Sequence, residues 1–304
     1  MKKNRRSGVF VLSLTLIAAI VVIVTYASDF AAGGIESNAD FSPRDYDTAE
    51  MDKDMVYQGK LILINGSNPC RMLEKNQMSP IFDLKNSAYQ VKDAEVMANR
   101  EAIEALNEML GDFKSKTGKD DVNIISGYRG IELQTKLFDE KKEETNEAEA
   151  MRWVARPGYS EHHSGYALDF GIYRDGASFT FDGNGRYRWI EDHAHEYGFI
   201  LRYAPEKEGQ TGIAGETWHF RYVGRPHAFF MKQKKMCMEE YIEFLKAYSY
   251  QNKHLNITDF DGKKYEVYYV KAEAGKTSVP IPKKAPYTVS GNNVDGFIVT
   301  AELK

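Results

Sequence analysis

"PGYSEHHSGYALDFGI", residues 157–172, decides how the rest of the chain is read. Its first half is polar and loosened by Gly158 and Gly165. Its second half, from Tyr166, is an apolar run of strand length interrupted by one acid, Asp169. A glycine-containing loop that delivers two adjacent histidines to the start of a buried strand is a costly arrangement for a chain with only seven histidines. It directs attention to the carboxylate placed seven residues after His162.

Working outward, "FILRYA" (199–204) and "ETWHFRYV" (216–223) are further short strands, and "VNIISGYRG" (122–130) is a strand running into a glycine turn. "KLILIN" (60–65) has the same signature. Helical spacing joins Ala102, Ile103, Leu106, Met109, Leu110 and Phe113, which predicts a helix from an N-cap at Asp93 to a stop at Gly118. "IELQTKLFDEKKEE" (131–144) predicts a second helix with Leu133 and Leu137 inward, "RWIEDHAHEYGF" (188–199) a third and "MEEYIEFLKAYSY" (238–250) a fourth. The charge run 139–149 is the solvated end of the second helix and a loop. Strands and helices mix without regular βαβ alternation, so the expected class is α+β, a small, largely antiparallel sheet flanked by helices. Residues 251–304 are strand-rich and helix-free, and are expected as a β appendage to a main domain spanning 57–250.

The N-terminus has a different character. Lys2, Lys3, Arg5 and Arg6 precede an uncharged run, 8–27, long enough as a helix to span about 30 Å of hydrocarbon. The basic cluster predicts a cytoplasmic tail (1–7), a transmembrane signal anchor (8–27) and everything else outside the cytoplasmic membrane. A cleaved signal peptide is the competing reading, although the run exceeds the usual apolar stretch of about 7–15 residues. Residues 28–56 are polar and acidic and are expected as a flexible stalk. Export permits a disulfide between Cys70 and Cys237; two separate buried thiols are the alternative. A net charge of −4 provides no basic field for nucleic acid, which is excluded as a partner.

The residue types that chemistry uses together gather at His162 and Asp169, then at Glu216 and His219. Two imidazoles and one carboxylate make a three-ligand zinc set with a fourth position for water. Bound zinc lowers the pKa of that water from about 15.7 toward about 7, and the second carboxylate is left to act as a base. Spacing alone does not decide which carboxylate is ligand and which is base. A regular strand would send Glu216 and His219 to opposite faces, so a bend is required there if both serve one site. Arg129 is either a surface arginine beside a tight turn or a cation placed to stabilise the oxyanion of a tetrahedral intermediate, and the residues alone leave both open. His163, His193, His195, His227 and His254 are read as ordinary hydrogen-bonded side chains, and Trp218 and Tyr128 as wall and core.

"SGYRGIELQ" (126–134), "PGYSEHHSGYALD" (157–169) and "GFILRYAPEKEGQTGIAGETWHFRYVG" (198–224) together resemble the signature blocks of the VanY-type D-alanyl-D-alanine carboxypeptidases. These belong to the zinc peptidase group that includes lysostaphin and the hedgehog domain. The pattern S-x-H-x-x-G-x-A-x-D is met by Ser160, His162, Gly165, Ala167 and Asp169, and E-x-W-H by Glu216, Trp218 and His219. The resemblance covers roughly 57–245. It implies that His162, Asp169 and His219 hold Zn2+, that Glu216 is the general base and later the acid, that Arg129 binds the polarised carbonyl, and that Gln134 and Ser160 position the peptide. Gly130, His163 and Tyr166 depart from the common serine, glutamine and leucine, which affects pocket shape. The implied function is a D,D-carboxypeptidase trimming D-alanine from peptidoglycan stem peptides. An L,D-carboxypeptidase acting on tetrapeptides is the alternative within the enzyme class, and a zinc-stabilised wall-binding or signalling module is the alternative outside it.

Overall fold

In the computed structural model, which describes residues 45–71 and 78–303, Asp169 sits in the middle of the main sheet. The strands in chain order are β1 (Tyr46–Met51), β2 (Met78–Pro80), β3 (Gln90–Val91), β4 (Met97–Asn99), β5 (Val122–Ser126), β6 (Ala167–Arg174), β7 (Ala177–Thr180), β8 (Phe199–Tyr203) and β9 (Glu216–Tyr222), followed by β10 (Leu255–Thr258), β11 (Lys264–Lys271), β12 (Thr277–Pro282), β13 (Tyr287–Gly291) and β14 (Gly296–Leu303). The main sheet runs β3-β5-β6-β9-β8, with β7 also beside β6. Only the β3–β5 pair is parallel. This is the mixed α+β architecture that the irregular order of elements predicts.

The helices used below are α1 (Arg100–Thr117), α2 (Ile131–Glu144), α3 (Glu147–Trp153), α4 (Arg188–His193), α5 (Arg225–Lys234) and α6 (Met238–Leu245). Helix α1 carries the predicted apolar stripe, all six residues fully buried. The stripe shares one core with Val122, Ile124, Leu168, Phe170 and Phe220 of the sheet. Because side chains alternate along a strand, Leu168 and Phe170 facing this core turn Asp169 to the opposite face. The helix begins six residues later than expected. Asn99 is the cap, accepting from Glu101 N at 3.0 Å, while Asp93 closes a local turn on Glu95 N. Gly118 ends the helix in the left-handed region, as predicted.

Other expectations need correction. In α2 the buried residues are Gln134 and Phe138, not Leu133, which is 50% exposed; the first turn is rotated so that Gln134 reaches inward. The charge run past it is a capped helix, α3, with Asn146 accepting from Glu149 N. Helix α5, not foreseen, opens with Pro226 in its first turn. Residues 60–65 are not a strand although Leu61, Ile62 and Ile64 are almost fully buried. Their carbonyls are taken by side chains in place of a neighbouring strand: Arg221 donates to Lys60 O and Ile62 O, and Asn293 to Leu63 O.

The expected stalk, 28–56, is described only from residue 45, and there it is ordered. Strand β1 pairs antiparallel with β12 over six residues, and Val56 is buried with Tyr268, Val279, Phe297 and Val299. The C-terminal stretch is strand-rich as predicted, a four-stranded sheet in the order β10-β11-β14-β13. The predicted transmembrane segment 8–27 lies outside the described residues; no helix among those described is long and apolar enough to cross a membrane. Cys70 is half-buried and Cys237 buried, and no disulfide joins them.

His227 of α5 ties the core to the appendage, with Nδ1 2.8 Å from the Tyr241 hydroxyl and Nε2 2.9 Å from Thr300 Oγ1. Burial, with a smaller contribution from Lys60, pushes its pKa down to about 3. The folded value lies below the unfolded one, so the unfolded chain takes up the proton first as pH falls. Stability present in full above pH 6.5 is therefore lost progressively toward pH 3, about 2 kcal/mol of it by pH 5. Urea unfolding midpoints should fall more steeply between pH 7 and 5 in the wild type than in His227→Gln. Equal slopes would show that this imidazole does not carry the effect.

Candidate active site

Ser126, Asp169 and His219 form one row across the sheet: Asp169 pairs with Ser126 on β5 and with His219 on β9. Each side chain leaves the face opposite α1. His162 joins them from a 3-10 turn, Glu161–Ser164, just ahead of β6. This turn is closed by Gly165 at φ 71°, a left-handed position that favours glycine. A Cβ there would also strike the Met78 side chain at 2.1 Å.

The bend required between Glu216 and His219 exists. In the β8–β9 ladder, Leu201 pairs with Phe220 and Tyr203 with Glu216, so three residues of β9 stand opposite one of β8. Such a bulge re-aims side chains, and it brings Glu216 Oε2 to 3.7 Å from His219 Nδ1.

His162 Nδ1–H donates to Gly127 O at 2.7 Å, which leaves Nε2 facing Asp169 Oδ2 at 3.1 Å. His219 Nδ1 lies 3.0 Å from Asp169 Oδ1, and its Nε2 lies 3.4 Å from Glu161 Oε2. Ligand atoms of His162, Asp169 and His219 all lie within 4.8 Å of one another, and all three residues are buried. The Asp169 oxygens stand 3.1 and 3.0 Å from the two imidazole nitrogens, a separation that ligands held about 2.0–2.2 Å from one ion can have. The second nitrogen of each ring is already committed, to a carbonyl and to a carboxylate, an outer pairing that metal-ligating histidines use. The donor set fits zinc.

Arg129 stands beside this cluster, in the loop before α2. It donates through Nη1 to Gln134 Oε1 (2.9 Å) and through Nη2 to Ser126 Oγ (3.0 Å) and Asp169 Oδ2 (3.2 Å). Among the described residues, the Nε–H and one Nη1–H of its five donors are left for a substrate oxygen. Gln134, 1% exposed, also donates to Ala155 O at 2.6 Å, so both ends of its amide are engaged and it braces Arg129. Ser160 caps the 3-10 turn, accepting from His162 N. A cavity of about 320 Å³ is lined by all seven residues singled out in the sequence, Arg129, Gln134, Ser160, His162, Asp169, Glu216 and His219, together with Trp218, Tyr203 and Glu161.

Electrostatics divides these groups. Burial opposes the charged form of Asp169, but His162 and His219 outweigh it and hold the carboxyl well below its usual value. Burial raises Glu216 to about 7, with Asp169 and Glu161 adding to the rise and His219 and Arg129 opposing it. The cavity thus contains one carboxylate held ionised and another able to take up and release a proton near neutrality. Burial lowers His162 to about 4. For His219 burial is outweighed by hydrogen bonds to Asp169 and Glu161, which lift it to about 9.

The other histidines stay outside the cavity. His163 is a bracket: its Nδ1–H donates to Arg129 O at 2.6 Å and its Nε2 accepts from Gly158 N at 3.1 Å. Sequence reasoning missed Glu161, which touches His219 and two arginines. A signal was present, because Arg202 and Arg221 stand in short strands otherwise rich in apolar and aromatic residues, and a buried cation demands a buried anion.

A family model described as VanY, D-alanyl-D-alanine carboxypeptidase, matches residues 95–225. A D-alanyl-D-alanine carboxypeptidase of Enterococcus faecium is 36% identical over 253 residues, 82% of this chain and 77% of that protein. Among solved structures, the vancomycin resistance D,D-dipeptidase VanXYg, in complex with a D-Ala-D-Ala phosphinate analogue, aligns with a TM-score of 0.76 at 32% identity, covering 85% of this chain and 99% of that one. A mutant of the D,D-pentapeptidase VanY from a VanB-type resistance cassette, in complex with Zn(II), aligns with a TM-score of 0.50 at 32% identity, covering 60% and 98%.

Proposed function

Because the chain belongs to the VanY family of D-alanyl-D-alanine carboxypeptidases, we propose that it is a zinc-dependent D,D-carboxypeptidase that removes the terminal D-alanine from peptidoglycan stem peptides. The observation that carries this reading is the single cavity in which a three-ligand set, a carboxylate of raised pKa and an arginine fork meet. When bound by His162, Asp169 and His219, zinc supplies Lewis-acid activation of water and of the scissile carbonyl.

The chain's own groups do the rest. Glu216 accepts the proton of the attacking water and returns it to the amine of the departing D-alanine, work suited to a group titrating near 7. The spare donors of Arg129 face the oxygen on which charge develops, where preorganised hydrogen bonds lower the barrier. Gln134 and Ser126 hold that guanidinium in place, so little reorganisation is needed when charge appears.

The test is to incubate the protein, starting ahead of Asp45, with a stem pentapeptide ending in D-Ala-D-Ala and, separately, with the tetrapeptide, and to identify the released amino acid by mass. One equivalent of D-alanine from the pentapeptide, with the tetrapeptide left intact, is the expected result. Release from the tetrapeptide alone would assign L,D specificity. Zinc bound with no release from either would point to a wall-binding module.

A further inference from the structure

The Glu161 carboxylate is 1% exposed and divides its two oxygens between two tasks. Oε1 accepts from Arg202 Nε and from Arg221 Nη1, each at 2.8 Å. Oε2 is turned the other way, 3.4 Å from His219 Nε2. Both guanidiniums are fully buried and otherwise satisfied. Arg202 pairs with both oxygens of Glu239 at 3.0 and 2.7 Å, and Arg221 donates to the carbonyls of Lys60, Ile62 and Tyr222. Two buried cations thus face two carboxylates, so the cluster is neutral, and charge-assisted bonds fix the Glu161 side chain from behind.

We infer that Glu161 is the positioning residue of His219: anchored by Arg202 and Arg221, it receives the Nε2–H and thereby presents Nδ1 to the cavity. The inference rests on the proposed metal reading and adds to it the residue that sets which nitrogen of His219 is offered. A neutral imidazole carries one proton, and the hydrogen bond made by one nitrogen decides that the other is the free donor. The cluster also explains why a segment outside the main sheet matters to the site. The backbone at Lys60 and Ile62 holds Arg221, which holds Glu161, which holds His219.

Glu161→Asp tests this, since it keeps the charge that Arg202 and Arg221 require while withdrawing the carboxylate from His219 by one methylene. Competition with a chromophoric chelator should show zinc affinity reduced by about 10–100-fold, the usual cost of losing an outer-sphere partner. The visible spectrum of the Co(II)-substituted variant should change, with circular dichroism unaltered. A second measurement needs no variant. In the zinc-loaded wild type, 15N NMR should find the His219 proton on Nε2, slow to exchange, with Nδ1 unprotonated. Wild type that binds no zinc would remove the metal reading and this one with it. Zinc-binding wild type with an unaffected Glu161→Asp, or with the His219 proton on Nδ1, would overturn this inference alone.

Discussion

Glu216→Gln should bind zinc with the wild-type stoichiometry, keep its fold and hydrolyse the stem pentapeptide about 10²–10⁴-fold more slowly. The substitution changes one oxygen for an NH2 of nearly the same size, so the shape of the cavity that Glu216 lines with Tyr203 and Trp218 is preserved. What disappears is a group that burial has lifted to about 7 and that can carry a proton from water to the leaving amine. The loss should appear in kcat with KM little changed, because the residue acts on the transition state and leaves ground-state binding alone. Metal analysis alongside the kinetics separates this outcome from simple loss of zinc. Full activity in the variant would remove Glu216 from the mechanism.

His162→Ala should have a larger effect through a different route. Its Nε2 is one of the three ligand atoms we propose, and no other imidazole lines the cavity except His219. Removing it leaves Asp169 and His219, a pair too few for a tetrahedral site. Zinc content should fall to near zero at concentrations where the wild type holds one equivalent. Activity should fall by more than the roughly 10–100-fold cost of an outer-sphere change. Unchanged zinc content would show that the ligand set is wrong.

The site was more legible in the sequence than the fold around it, and there is a physical reason. Chemistry requires particular side chains, so His162, Asp169, Glu216 and His219 announce themselves by type, and the need for a bend at 216–219 follows from strand geometry. Segment 60–65 failed because its apolar residues are buried as a strand's would be, while its backbone is satisfied by Arg221 and Asn293 from more than 150 residues away, which no local pattern encodes. Helix α2 was placed correctly but its inner face was not, because a glutamine whose amide binds Arg129 and Ala155 O outranks a leucine for the buried position. Glu161 was overlooked for a related reason. It occupies an unspecified place in the S-x-H pattern, and its meaning depends on two arginines in distant strands.

The pairing of β1 with β12 sets the boundaries within which this protein can be trimmed for the bench. Starting a recombinant version at Asp52 would strip the partner from Thr277–Pro282, leaving a raw edge of unpaired N–H and C=O groups, a template for sticking to other molecules. It would also take away the Tyr46 hydroxyl that donates to Glu266 at 2.6 Å. Stopping at residue 250 would delete Asn293 and uncap the carbonyls of Leu63 and Pro69. Both cuts fall far from the cavity in sequence, yet each loosens the first and last of the described stretches, which close around one another.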